Sequence, residues 1–141
     1  MATLERAIAI AAEAHAGQTD KAGAAYILHP LRVMFRVFST EERIAAVLHD
    51  VVEDTPWTLE RLREEGFSEA VVTAVDALSR RTGETYEKFV ARAALHPIGR
   101  VVKRADLEDN MDLSRLPHHP TEADRARLER YRRALAVLDG A

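Results

Sequence analysis

The sequence predicts an all-α chain, and two observations predict it. Apolar residues recur at helical spacing through most of the 141 residues, and proline, glycine and Ser/Thr punctuation divides them into helix-length stretches. Alternation of apolar and polar residues never runs beyond a few positions, so no strand is expected. With 47% hydrophobic residues, a single domain over residues 1–141 has enough material for a core.

The elements follow in order. A first helix is expected from about Leu4 to His15, with Thr3 as N-cap and Gly17 closing it. A polar loop from Gly17 to Ala25 precedes Pro30, where a second helix can begin and Leu31 to Phe38 continue it. Ser39 or Thr40 then caps a third helix, Glu41 to about Glu53. Thr58 to Leu78 reads as two shorter helices, broken at Gly66 and restarted at Ser68. Arg80 to Glu84 is a loop centred on Gly83, and Tyr86 to Leu95 and Pro97 to about Met111 are two more helices. The last, Thr121 to Leu138, carries charge throughout and reads as a packing helix with a solvated face.

Composition excludes several chemistries. Without cysteine there is no disulfide, zinc-thiolate cluster, iron-sulfur centre or thiol nucleophile, so any metal must be held by His, carboxylate or water. A formal net charge of -3 gives no basic field for a nucleic-acid backbone. Glu5, Arg6 and Glu13 interrupt the first apolar stretch, which therefore lacks a signal-peptide core, and no run approaches the ~20 apolar residues of a membrane span. A cytoplasmic protein without nucleic-acid or membrane partners is the expectation.

The third helix is the most informative. Ile44, Val47, Leu48 and Val51 form a core-facing stripe, while the opposite arc collects His49, Asp50, Glu53 and Asp54. Such an arc can be a solvated face. However, Ala45, Ala46 and Val52 widen the apolar side, and no Lys or Arg lies within one turn to neutralise the acids, which favours a metal ion among them. His29, before Pro30, reads alone as a packed or capping histidine or as a ligand. Asp106 shares an arc with Lys103 and Asn110 and reads alone as a surface acid, a cap or a ligand.

The segments Ala14-His-Ala-Gly-Gln18, Lys21, Gly23, Tyr26-Ile-Leu-His-Pro30, Leu48-His-Asp-Val-Val-Glu-Asp-Thr55 and Val102-Lys-Arg-Ala-Asp-Leu-Glu-Asp-Asn110 stand in a telling order. That order, His…His-Asp…Asp, resembles the HD phosphohydrolase superfamily. In detail it resembles the hydrolase domain of RelA/SpoT proteins and, more closely, the small alarmone hydrolases related to the metazoan SpoT homologue. The resemblance runs from about Leu4 to Leu116.

The resemblance implies a single HD-domain bundle of about seven to nine helices. It implies hydrolysis of the 3′-pyrophosphate of guanosine tetra- and pentaphosphate to GDP or GTP and pyrophosphate, with Mn²⁺ or another first-row divalent ion. His29, His49, Asp50 and Asp106 take the ligand roles, Glu53 and Asp54 the handling of the attacking water, and Asn110 a substrate contact. A thiolate-free imidazole and carboxylate set suits such an ion independently. Lys21 matches a nucleotide-contacting position. Further cations for the phosphates are Lys103 and Arg115, together with Arg80, Arg81 and Lys88. The partner is a small-molecule nucleotide, and a homo-oligomer is compatible with it. At this length the chain is expected to lack the synthetase and regulatory domains of long relatives.

Four positions depart from the resemblance. Asp20 stands where Arg is common, Ala25 where proline is usual, Arg104 for an aliphatic residue, and Asp109 where His or Tyr is frequent. An altered loop at Asp20 to Ala25 keeps open another nucleotide, such as ppApp or NADPH. A non-catalytic nucleotide sensor is the alternative of a different class, against which the retained Glu53 and Asp54 argue. His15 reads as a helix-end cap, His96 as a residue before a helix-opening proline, and His118-His119-Pro120 as an exposed connection. Trp57 reads as a loop anchor or a platform for a purine.

Overall fold

Residues 2–140 are described by a computed structural model. Among them are nine α-helices and no strand, as an all-α bundle requires. They are α1 (Leu4–Ala14), α2 (Leu28–Phe35), α3 (Thr40–Leu48), α4 (Val51–Asp54), α5 (Leu59–Glu64), α6 (Glu69–Ala77), α7 (Tyr86–Ala94), α8 (Pro97–Asn110) and α9 (Glu122–Leu138). A 3-10 turn at Leu113–Arg115 joins the last two. No helix among the described residues is long and apolar enough to cross a membrane.

Local sequence sets the helix starts. Thr3, Ser39, Thr58, Ser68, Thr85 and Thr121 each accept a backbone N–H in the first turn of the helix they precede, and Ser39 and Thr121 complete capping boxes with Glu42 and Asp124. Gly17, with φ of 83°, makes the left-handed turn that ends the first helical stretch, a conformation costly for any residue with a Cβ.

Helix α3 lies at the centre, against α1, α2, α6 and α8. Its residues Ile44 to Leu48 are all buried, so it is enclosed on every side rather than along one stripe. The main core joins it to Ala7, Ile10, Val33, Val71, Val75 and Val102. Burying each large aliphatic side chain there contributes about 1.5–3 kcal/mol. A smaller cluster of Val90, Leu107, Ala134 and Leu138 seats α9 on α7 and α8.

Two boundaries differ from expectation. The single helix foreseen from Glu41 to about Glu53 breaks at His49 and Asp50. The His49 ring nitrogen Nδ1 lies 2.6 Å from the Ala46 carbonyl, which also receives the His49 backbone N–H at 3.4 Å. The acceptor that a continuing α-helix would offer to Asp50 is thereby occupied. The second helix starts at Leu28 and ends at Phe35, ahead of Phe38. Phe38 donates its N–H to Glu42 Oε1, which makes it part of the cap of α3.

Candidate metal centre

Three elements converge at the break after α3. Helix α2 brings His29, the break brings His49 and Asp50, and α8 brings Asp106. Donor atoms of His29, His49 and Asp50 lie within 4.8 Å of one another. Asp106 Oδ1 is 2.8 Å from His29 Nε2 and 3.4 Å from His49 Nε2. The residues expected as ligands are thus together, and the two histidines and Asp106 are buried.

Each imidazole has one nitrogen committed and one turned to the cluster. His29 Nδ1 is 2.7 Å from Asp109 Oδ2, which leaves Nε2 to the centre. In His49, Nδ1–H donates to the Ala46 carbonyl. Its Nε2 is 3.0 Å from Asp50 Oδ2 but aligned as a hydrogen bond with no group. A buried ring nitrogen without an aligned partner, among carboxylates, fits a cation ligand, and its other nitrogen fixes the tautomer that ligation needs.

The charge balance points the same way. Burial disfavours the cationic form of both histidines, yet Asp106 and Asp109 around His29, and Asp50 and Asp106 around His49, outweigh it and raise both. Burial works against the Asp106 anion too, but Lys103 and the two histidines hold its carboxyl well below the usual range. Two acids this deep require positive charge beside them, and the donor set suits a divalent ion.

Lys103, expected as a cation for the phosphates, is not on the wall of the cavity that opens over the cluster. It is buried, its Nζ lies 3.0 Å from Asp106 Oδ2 and 4.6 Å from the Phe89 ring centroid, and it acts as a counter-ion beneath Asp106. Asn110 donates to Asp106 Oδ1 at 3.1 Å and lines the cavity. That cavity, of about 440 Å³, opens over the cluster and is also lined by Glu53, Asp54, Lys21 and Arg115. Arg80, Arg81 and Lys88 are not on its wall. Instead the Arg80 backbone N–H donates to Glu53 Oε1 at 2.5 Å, which orients that carboxylate.

Several contributors were given no role in the site from the sequence. Tyr26 donates its hydroxyl to Asp50 Oδ2 and lines the cavity. Asp109 is fully buried and supports His29 from behind, a role that its place three residues after Asp106, on the same helix arc, could have suggested. Arg32, one turn after His29, also reaches the wall. So do Arg127 and Tyr131 of α9, a helix expected to pack with a solvated face. Nothing local in the sequence marks that face.

The other histidines and Trp57 resolve simply. His15 is the C-cap of α1, as expected, through its backbone N–H, which donates to the Ala11 carbonyl at 3.0 Å, while its side chain has another place. Its ring is buried under Tyr26 at a centroid distance of 4.9 Å, with Nδ1 2.9 Å from Gln18 Oε1. His96 is the N-cap of α8, where Nδ1 accepts from Ile98 and Gly99. Trp57 packs against the main core beneath the Arg61 guanidinium and anchors its loop.

Known proteins resemble this chain in sequence and in fold. A family model described as the HD domain matches residues 7–139. A probable GTP pyrophosphokinase of Mycobacterium leprae (strain TN) is 34% identical over 140 residues, 90% of this chain and 18% of the relative. A guanosine-3′,5′-bis(diphosphate) 3′-pyrophosphohydrolase of Aquifex aeolicus (strain VF5) is 33% identical over 120 residues, 77% of this chain and 17% of the relative. The chain thus spans less than a fifth of the length of these relatives. A solved structure, described as a metazoan ortholog of SpoT that hydrolyzes ppGpp and plays a role in starvation responses, matches with a TM-score of 0.80 at 23% identity. The match covers 98% of this chain and 85% of that one, and it establishes the likeness of fold.

Proposed function

The chain belongs to the HD-domain family, and from that premise we propose that it hydrolyses the 3′-pyrophosphate of guanosine tetra- and pentaphosphate, with Mn²⁺ at the His29, His49, Asp50 and Asp106 cluster. The observation that carries the proposal is the juxtaposition of His29, Asp50 and Asp106, with His49 against the two acids, and Glu53 and Asp54 on one cavity wall, beside cationic side chains. The relatives named as 3′-pyrophosphohydrolases support the substrate class.

The bound ion would supply Lewis-acid charge and a more acidic water. The chain's residues do the rest. Glu53, held by the Arg80 N–H, and Asp54, both on the cavity wall, accept the proton of the attacking water in this reading. Oxygen from water bonds to the phosphorus next to the ribose, the P–O3′ bond breaks, and O3′ takes up a proton. Asn110 and Tyr26 orient the carboxylates of Asp106 and Asp50, while Lys21 and Arg115 offer positive charge to the phosphates.

One observation keeps the base open. Asp20, where the resembling family often has Arg, turns its carboxylate onto the N–H groups of Ala22 and Ala24, both at 2.9 Å. It closes its own loop and adds no cation at the base end. Turnover of ppGpp, ppApp and NADPH by the Mn²⁺-loaded protein separates these readings. Pyrophosphate release from ppGpp is expected, and Asp50→Ala should lower it by about 10³-fold or more, as loss of the activating metal implies. Intact ppGpp beside a cleaved ppApp or NADPH would refute the guanosine assignment.

A further inference from the structure

The cavity wall carries four cations, Lys21, Arg32, Arg115 and Arg127. The three arginines differ in what they have left to offer. Arg115 gives one η nitrogen to Asp112 and the other to the Asp109 carbonyl, both at 3.0 Å. Arg127 is paired with Asp124. Arg32 commits only Nε, which lies 2.9 Å from Asp109 Oδ1 and 3.2 Å from Oδ2. Its side chain is 30% exposed, and neither η nitrogen has a hydrogen-bond partner among the described residues.

Asp109 does not need Arg32 for neutrality. Its Oδ2 already meets His29 Nδ1 at 2.7 Å, and Arg115 lies 3.5 Å and Arg36 4.0 Å from the same carboxylate. One fully buried acid therefore holds a metal-ligand histidine by one oxygen and the base of a guanidinium fork by the other. His29 and Arg32 are one helical turn apart, so the fork stands beside the ligand on the same face of α2.

We propose that Arg32 is a phosphate-binding residue of this cavity, clamped through Nε by Asp109 so that its η nitrogens meet the substrate's phosphate chain next to the metal cluster. The proposal rests on the phosphohydrolase reading above. Planar guanidinium groups donate paired, charge-assisted hydrogen bonds to phosphate oxygens, and a fork already held at Nε loses little freedom on binding. Asp109 is then a positioning residue for His29 and Arg32 together. Since Asp109 stands where the resembling family often has His or Tyr, the clamp is not something the resemblance supplies.

The test measures three quantities on the full chain: Mn²⁺ affinity, KM for ppGpp in saturating Mn²⁺, and calorimetric binding of inorganic pyrophosphate to the Mn²⁺-loaded protein. Arg32→Gln is expected to raise KM and weaken pyrophosphate binding by roughly tenfold or more, with Mn²⁺ affinity within about twofold of wild type. Asp109→Asn is expected to weaken Mn²⁺ binding as well, by about ten- to a hundredfold. A folded Arg32→Gln with unchanged KM and pyrophosphate affinity overturns the proposal. So does one that loses Mn²⁺ affinity as severely as Asp109→Asn, because Arg32 would then only support the ligands. Should Arg32→Gln not fold, Arg32→Lys carries the same comparison, with weaker pyrophosphate binding expected and unchanged binding refuting the clamp. If wild type leaves ppGpp intact, the substrate reading fails, while pyrophosphate binding still decides the role of Arg32.

Discussion

Asp54 lines the cavity with one side open to solvent. Lost hydration on its inner side, then the charges of Asp50 and Glu53, push its carboxyl up to about 6 from the ordinary 3.8. Because the folded value lies above the unfolded one, ionising Asp54 costs the metal-free fold stability. The cost begins as pH rises past about 3.8 and is complete above about 6. Asp54→Asn should therefore raise the melting temperature of the metal-free protein at pH 7 by a few degrees, and the gain should vanish below about pH 4. The same variant should lose about 10²–10⁴-fold in kcat, the usual contribution of a positioned proton acceptor. Thermal scans against pH, beside turnover, check both, and an Asn variant less stable than wild type at neutral pH would contradict the charge account. At this scale the sequence showed the acids themselves but not their support. Spacing puts Lys103, Asp106 and Asp109 on one arc of α8, but that Lys103 points inward and Asp109 backs His29 depends on packing between α2, α7 and α8.

The loop between α6 and α7 shows how a remote element reaches the site. Arg92 of α7 donates to the carbonyls of Asp76 and Ser79, each at 2.8 Å, and to both carboxylate oxygens of Glu84, each at 2.9 Å. The loop so pinned presents the Arg80 N–H to Glu53. The Arg92 guanidinium, with the Arg81 N–H, holds the Glu84 carboxyl down at about 2 from an ordinary 4.5. A depressed carboxylate gives stability that is present above the unfolded value and is lost as pH falls through the folded one. The stability gap between wild type and Glu84→Gln in urea denaturation should accordingly be widest above about pH 4.5 and narrow toward about pH 2. A gap that stays constant over that range would refute the pairing. Helix starts were legible because Thr3, Ser39, Thr58, Ser68 and Thr121 act locally. The break at His49 was not, since a ring nitrogen competing for the Ala46 carbonyl leaves no signal in hydrophobic spacing.

At the scale of the whole molecule, the fold places a buried acidic and imidazole cluster at the centre of the bundle and closes a cavity over it with α9. The residues proposed as ligands stand out in the sequence because they follow the His…His-Asp…Asp order, and the fold brings them together. The contribution of Arg127 and Tyr131 was not, because it arises only when α9 docks on α7 and α8 through Val90, Leu107, Ala134 and Leu138. The proposed activity requires one cation at that cluster to drive release of pyrophosphate. The direct measurement is a titration of metal-stripped protein with Mn²⁺, quantifying GDP and pyrophosphate formed from ppGpp at each step. No turnover is expected without metal, followed by a rise that saturates near one Mn²⁺ per chain, with GDP and pyrophosphate in equal amounts. Full turnover in the presence of a chelator, or orthophosphate in place of pyrophosphate, would contradict it.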